Sequence, residues 1–525
     1  MRRSEKISDA IGQVDEEIVA EAEEVRLNGN GKNTSANKPI GKKVWIPTIT
    51  AAACASVICG ALVLGGGNGG DISTDGSETT SPGTLEGVDG DDGNLLYLFT
   101  HVETLAEAEY PVMAKYPNED DCFDENGVWQ DELAALYYDP WYEQCIERRD
   151  AGSLLVYDSL TGFVMSTSNE FLTGSDGENR VYSPGSVYMA LAMLAETTDG
   201  NSRYQILELL GADSIESLRE QAGNMWKATY HNDGATTSVL ANSLWLNDGV
   251  TFNVGTVNRL ADIYRASSYR GDMSSEEMTA ALRDWLNEQT GGLLGDAVEN
   301  VTLDPETVMS LCSTVYFRAK WNAQFSAANN DYKTFHSPDG VIKVEFMNNT
   351  NEYGPYFWGE DYGAVYLAFA DGGGMWLMLP DEDKTVDDVL ASGEYLDMIK
   401  QDYSWEKSKP IIVHYSVPKF DVASELTLAD GLKRLGITDV FDSTQSDFTP
   451  LTDDMDGICV SDAKHAARVQ IDEEGCTAAA FTQMSADGAA LPPEDEIYFT
   501  LDRPFVFVIE SDTNQPLFIG TVYKP

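Results

Sequence analysis

Basic side chains are scarce in this sequence. It holds 34 Lys and Arg against 87 Asp and Glu, which gives a formal net charge of −53 over 525 residues. The first 44 residues contain eight of each sign, so the whole acidic excess lies after Val44. Such a surface repels phosphates, which argues against nucleic acid or an anionic membrane surface as the partner. A cationic partner would be attracted, although an acidic surface also serves solubility alone.

Cysteine and histidine are few as well. Seven cysteines and five histidines occur, and the sequence contains no CxxC, HExxH or GxSxG pattern. We therefore predict that the chain is not an enzyme and has no metal or cofactor. Cys122 and Cys145 flank an acidic, aromatic stretch and could form a disulfide in an oxidising compartment. Sequence alone leaves that pairing open, because it does not show how closely the Cα atoms approach.

One long run, residues 44–64, carries no charge. As a helix it would span about 31 Å, close to the ~30 Å of a bilayer core. Three lysines precede it and no base follows for dozens of residues, so the positive-inside rule predicts an extracellular C-terminal part. We predict a cytoplasmic tail over 1–43 and a transmembrane signal anchor over 44–64. The charged tail is too long for the leader of a cleaved signal peptide.

Two atypical segments come next. Residues 65–94 are rich in Gly, Ser, Thr and Asp and lack any base. No strand precedes their glycines and no helix follows, so we predict a flexible linker rather than a phosphate-binding loop. Residues 95–153 form an acidic, aromatic insert, for which we expect helices packed on the main domain. The sequence indicates no function for this insert.

Residues 154–525 mix helical and strand-like patterns. "SVYMALAML" and "EEMTAALRDWLNEQT" are typical of helices, whereas "VMSLCSTVYF", "IIVHYSVPKF" and "FVFVI" are typical of strands. Strands dominate the C-terminal half. This pattern predicts an α+β fold with large antiparallel or mixed sheets.

Several motifs in this domain resemble those of the serpin family and occur in the family's order. They are "NRVYSPGSVYMALAML" (179–194), "WLNEQTGGLL" (285–294), "LCSTVYFRAKWNAQF" (311–325), "VPKF", "LGITDVF" and "SDF" (within 417–448), "KHAARVQIDEEGCTAAAFT" (464–482), and the closing "RPFVFVI" and "PLFIGTVYKP". The resemblance implies helices around three β-sheets and an exposed reactive-centre loop. It also implies suicide inhibition, in which the cleaved loop inserts as a strand while the protease remains bound as an acyl ester.

The resemblance assigns roles to residues around the loop. It places the hinge at Glu473, Gly475, Cys476, Thr477, Ala478, Ala479 and Ala480. It places the polar groups that control opening of the central sheet at Ser183, Ser186, Ser313, Trp321 and His465. Ser313 stands where the family usually has Asn, so we expect a weaker hydrogen-bond network there.

The loop sequence itself suits insertion. Side chains of a strand alternate between faces, and one parity from Cys476 to Ala486 is uncharged and mostly small. The other parity carries Phe481 and Asp487, which can face solvent. No proline interrupts 475–491, so no hydrogen bond of the ladder would be lost.

The resemblance places the reactive bond after the seventeenth residue counted from Glu473, which is the Ala489–Ala490 bond. No Lys or Arg occurs between Arg468 and Arg503, so a protease with an acidic specificity pocket has nothing to bind. The expected partner is therefore an extracellular elastase-like or subtilisin-like serine protease, held as a covalent acyl complex at the cell membrane. The alternative is a non-inhibitory surface binding protein on a serpin fold.

Overall fold

In the part of the chain that the computed structural model describes, helices surround two β-sheets. The described residues are 55–66 (backbone only), 102–125, 127–155, 157–292, 294, 296–299, 301–370, 372–401, 404–475 and 495–525. The described helices are α1 Asp131–Ser153, α2 Tyr157–Leu172, α3 Pro184–Thr197, α4 Gly200–Leu210, α5 Ile215–Thr229, α6 Val254–Tyr264, α7 Glu276–Gln289, α8 Asp296–Glu299, α9 Val386–Ser392, α10 Glu394–Gln401 and α11 Ala429–Arg434.

The first sheet has the strand order β13-β14-β1-β7-β5-β6-β2, and β4 pairs with β5 outside this path. Its strands are β1 Ala55–Gly66, β2 Glu103–Ala106, β4 His231–Asn232, β5 Thr237–Asn247, β6 Ala266–Gly271, β7 Thr307–Arg318, β13 Phe420–Thr427 and β14 Ile458–Ile471.

The second sheet has the order β15-β12-β9-β10-β11-β16-β17-β3, and β8 pairs with β9. Its strands are β3 Arg180–Tyr182, β8 Asp331–Ser337, β9 Gly340–Trp358, β10 Tyr362–Ala368, β11 Gly374–Pro380, β12 Ser408–Pro418, β15 Glu496–Thr500, β16 Phe505–Glu510 and β17 Pro516–Val522. Three separate sheets were predicted, and the structure differs. The long strand β9 pairs with β12 and also with β10, which joins two sheets into one.

Helix α3 lies at the centre of the molecule. Ser183 caps its N-terminus and Pro184 begins it, both favourable at those positions. Every residue of α3 except Gly185 is buried, as expected for a helix that is apolar on all sides. It packs against β7, β1 and β17, so it contacts both sheets.

The uncharged N-terminal run differs from the prediction. Residues Ala55–Gly66 form the strand β1 rather than the second half of a membrane helix over 44–64. Residues 1–54 and the 67–101 stretch lie outside the described part of the chain. Within the described part, no helix is long and apolar enough to cross a membrane.

Candidate functional site: the hinge of the reactive loop

A tight turn holds the residues that precede the reactive loop. β14 ends at Ile471, and the amide of Gly475 donates to the carbonyl oxygen of Asp472 at 3.4 Å. The indole Nε1 of Trp321 donates to the same carbonyl at 2.9 Å. Gly475 also forms an isolated β-bridge with Lys320, just beyond the end of β7. The start of the loop is therefore fixed where β7 and β14 both end.

Only glycine fits at position 475. Its φ is +85°, in the left-handed region that other residues rarely adopt. A Cβ at this position would lie 2.3 Å from the backbone nitrogen of Trp321 and 2.9 Å from backbone atoms of Lys320. The hinge role assigned to Gly475 therefore falls on a residue that the surrounding backbone restricts to glycine.

Glu473 anchors the turn through its side chain. Nζ of Lys419 lies 2.6 Å from its carboxylate, and the side-chain amide of Asn330 donates to it. Burial would raise the pKa of Glu473, but these hydrogen bonds outweigh burial and lower it. The neighbouring Asp472 accepts a hydrogen bond from the Glu474 amide at 2.9 Å, but burial beside two other carboxylates outweighs it and raises the pKa of Asp472 to about 6. Glu473 is therefore firmly ionised at neutral pH, whereas the pKa of Asp472 lies near 6.

A buried polar network connects α3 to β7 and β14. The amide of Ser183 donates to Nε2 of His465 at 3.1 Å, and the Ser186 hydroxyl donates to the carbonyl of Ser313 at 2.9 Å. The hydroxyl of Ser313 and Nδ1 of His465 are buried without a hydrogen-bond partner in the described structure. Burial lowers the pKa of His465 to about 3, so this imidazole is neutral at pH 7.

Strand β1 separates the two sides of this network. Gly60 pairs with Ser313 of β7 and with His465 of β14. Because neighbouring strands lie about 4.8 Å apart, Ser313 and His465 are roughly 10 Å from each other across the sheet. α3 links the two sides through its N-terminus, because Ser183 contacts His465 and Ser186 contacts Ser313.

The other predicted site residues have mixed outcomes. The remaining hinge residues, Cys476 to Ala480, and the Ala489–Ala490 bond lie outside the described residues. Cys122 and Cys145 are both buried free thiols rather than the disulfide considered from the sequence. The thiol of Cys122 faces the carbonyl of Asn118 at 3.8 Å instead. In the part of the chain with described coordinates, no cluster of His, Cys, Asp or Glu could hold a metal ion.

The acidic insert packs on the main domain through a helix, as expected from the sequence, and also through a strand that was not predicted. β2 pairs with β6 at the edge of the first sheet, and α1 packs against α5. The indole of Trp141 donates to the buried carboxylate of Asp233 at 2.9 Å. Arg148 pairs with Asp512, where Nη1 lies 3.0 Å from Oδ2 and both side chains are almost fully buried.

Comparisons with known proteins agree with this architecture. The family model described as serpin (serine protease inhibitor) matches residues 158–525. The chain belongs to the serpin family. Serpins are, in general, protease inhibitors rather than catalytic enzymes.

Relatives of this serpin come from distant organisms. Serpin-ZX of Arabidopsis thaliana is 28% identical over 373 residues, which cover 67% of this chain and 94% of the relative. Plasminogen activator inhibitor 1 of Neovison vison is 27% identical and is covered to 92% of its length, with 70% of this chain. The crystal structure of tengpin, a thermophilic serpin in the native state, matches with a TM-score of 0.60 at 27% identity, over 70% of this chain and 94% of tengpin.

Proposed function

We propose that this serpin inhibits extracellular serine proteases of elastase-like or subtilisin-like specificity. The protease would attack the Ala489–Ala490 bond and form an acyl ester with Ala489. Insertion of the loop as a strand would then carry the protease away before the ester is hydrolysed. The observation that carries this proposal is the position of Gly475, which starts the loop at the shared end of β7 and β14.

The hinge geometry supports insertion from that point. Gly475 has the backbone freedom to change conformation, and four small or medium-sized residues, Thr477 to Ala480, follow Cys476 without a proline or a charge. Glu473 stays bound to Lys419 and fixes the near end of the loop. At the far end, the carbonyl of Asp495 accepts from the amide of Ile412, so the loop is tied to both sheets.

We also propose that residues 44–64 anchor the chain in the cell membrane with the serpin domain outside. The absence of charge in this run and the lysines before it support the proposal. Anchoring requires that Ala55–Gly66 leave the first sheet, because the same residues cannot cross a bilayer and pair as β1. Cell fractionation with alkaline extraction tests it, and release of the full chain into the soluble fraction would contradict it.

Incubation with elastase, subtilisin and trypsin tests the inhibitory function. A chain of residues 67–525 should form an SDS-stable complex with elastase or subtilisin but not with trypsin. Mass spectrometry of the released fragment should show a new N-terminus at Ala490, and cleavage only outside 486–492 would refute the assignment. An Ala489→Arg variant should gain a trypsin complex, because the loop keeps its insertion chemistry while the recognised residue changes.

The alternative, a non-inhibitory surface binding protein, predicts cleavage without any stable complex. A gel that shows cleaved chain and free protease with every enzyme tested would favour it.

A further inference from the structure

The chain fills one strand position of its own first sheet with an N-terminal segment. β1 pairs antiparallel with β7 on one side and with β14 on the other. Ala55 lies opposite Arg318 at one end, and Gly66 lies opposite Ile458 at the other. β7 and β14 consequently run parallel to each other, with β1 in the gap between them.

This gap is where the proposed mechanism places the cleaved loop. The loop leaves the end of β14 at Gly475, which is bridged to Lys320 beyond the end of β7. A chain that continues from Gly475 into the gap has to run antiparallel to both neighbours. β1 runs in this direction and begins at the same end of the sheet.

The overlap can be followed residue by residue. In an antiparallel pair, each step forward along one strand is a step back along the other. From the Gly475–Lys320 bridge, Thr477 would meet Arg318, which is the partner of Ala55 in β1. Residues 477–488 would then take the 12 places held by Ala55–Gly66. Ala489, the predicted acyl residue, would follow directly.

The two segments have interchangeable sequences for a central strand. Neither contains proline, so each can complete the hydrogen-bond ladder. Residues 55–66 carry no charge, and 477–488 carry only Asp487. Since adjacent strands lie about 4.8 Å apart, the gap holds one strand and not two.

We propose that Ala55–Gly66 is an intramolecular plug that blocks loop insertion until it is withdrawn. This inference rests on the proposed inhibitory function. While β1 is in place, the cleaved loop has no strand position to enter and the acyl-enzyme persists. Water then attacks the ester carbonyl of Ala489, the serine oxygen of the protease leaves and takes up a proton, and Ala489 is released as a carboxylic acid. The plugged chain is a substrate, and the unplugged chain is an inhibitor.

The full chain and a Gly60→Pro variant test the plug directly. Gly60 lies in the middle of β1, and proline there removes an N–H from a strand that is paired on both sides. The probe is a fluorescent synthetic peptide with the sequence of residues 477–488. We expect the variant to bind this peptide at least about tenfold more tightly than the unaltered chain. Gly87→Pro, in the predicted linker, is the matched control and should behave like the unaltered chain.

Deletion of residues 55–66 from the full chain provides a second variant that does not depend on how proline is accommodated. It should bind the peptide as Gly60→Pro does. Equal binding by the unaltered chain and both variants would overturn the plug. Absence of binding by both variants would overturn it too, because the gap would then not be held by these residues.

Protease titration separates failure of the plug from failure of the inhibitory function. The number of chains consumed per elastase molecule blocked should fall severalfold, toward one, in the unplugged variants. If the variants bind the peptide but form no protease complex, the plug is supported and the proposed inhibitory function is contradicted. If all chains are consumed in the same ratio to elastase and bind the peptide equally, only the plug is contradicted.

Discussion

Gly475 packs on Trp321 so closely that a Cβ would lie 2.3 Å from the tryptophan backbone nitrogen. This contact joins the first residue of the reactive loop to the segment that follows β7. Any side chain at 475 has to displace the loop from the end of the sheet. The loop's starting position is therefore set by backbone contact.

We expect Gly475→Ala to destabilise the native hinge by roughly 1–3 kcal/mol, because the left-handed φ and the backbone contact both oppose a Cβ. The midpoint of thermal unfolding should fall accordingly. Gly436→Ala is a useful control, since Gly436 has φ of +102° but nothing within 4 Å of its Cβ position. An equal shift in both variants would show that the Trp321 contact has no effect.

In the 67–525 chain, Ala478→Arg should turn the inhibitor into a substrate. An unpaired charge on the buried face of the inserted strand raises the free energy of insertion by several kcal/mol. Insertion therefore stalls, and the acyl ester is hydrolysed first. Ala479→Arg, on the opposite parity, should have a much smaller effect. Stoichiometry with elastase, read on denaturing gels, distinguishes them. Unchanged stable complex with Ala478→Arg would contradict insertion in this register.

His465 should make stability depend on pH. Its folded pKa of about 3 lies below the ordinary 6.5, so its contribution is complete above pH 6.5 and is lost as the pH falls toward 3. The slope is at most about 1.4 kcal/mol per pH unit. Asp472 has the opposite effect on stability. Its folded pKa is raised from 3.8 to about 6, so its contribution is complete below pH 3.8 and is lost as the pH rises toward 6.

The His465 contribution is isolated by comparison with His465→Gln, whose side-chain oxygen can still accept from the Ser183 amide. The unfolding midpoint of the unaltered chain should fall more steeply between pH 7 and pH 5 than that of the variant. Parallel curves for the two chains would contradict the claim that His465 is both buried and neutral.

The buried pair of Arg148 and Asp512 should hold the acidic insert on the serpin domain. Arg148→Met leaves the Asp512 carboxylate buried without its partner, which costs about 3–5 kcal/mol. Arg149→Met is the control, because Arg149 is exposed. Limited proteolysis of α1 and the unfolding midpoint measure the effect. If both variants behave alike, the pair does not fix α1.

The sequence motifs identified the family and the elements near the hinge, because those segments carry local patterns of glycine, tryptophan and alternating apolar residues. The docking of α1 was not predictable in detail. Trp141 and Asp233 are 92 positions apart, and nothing local marks them as partners. The fusion of two sheets depends on the length of β9, whose pairing with two different neighbours has no simple sequence signal.

The segment 55–66 shows a different limit of sequence reasoning. An uncharged run rich in Val, Ile, Leu, Ala and Gly satisfies a bilayer and a fully buried strand equally well. Length favoured the bilayer, because 44–64 matches its thickness. A vacancy between two distant strands is created by the whole fold, and hydropathy contains no information about it.

The position of β1 has a consequence for where the protein can inhibit a protease. A chain whose 44–64 run is held in a bilayer cannot also place Ala55–Gly66 between β7 and β14, so its sheet is open for the loop. A chain that has lost its hold on the bilayer can close that opening with its own N-terminal segment. Inhibition would then be confined to the cell surface. Molecules released from the membrane would be cleaved as substrates and would not inhibit the protease.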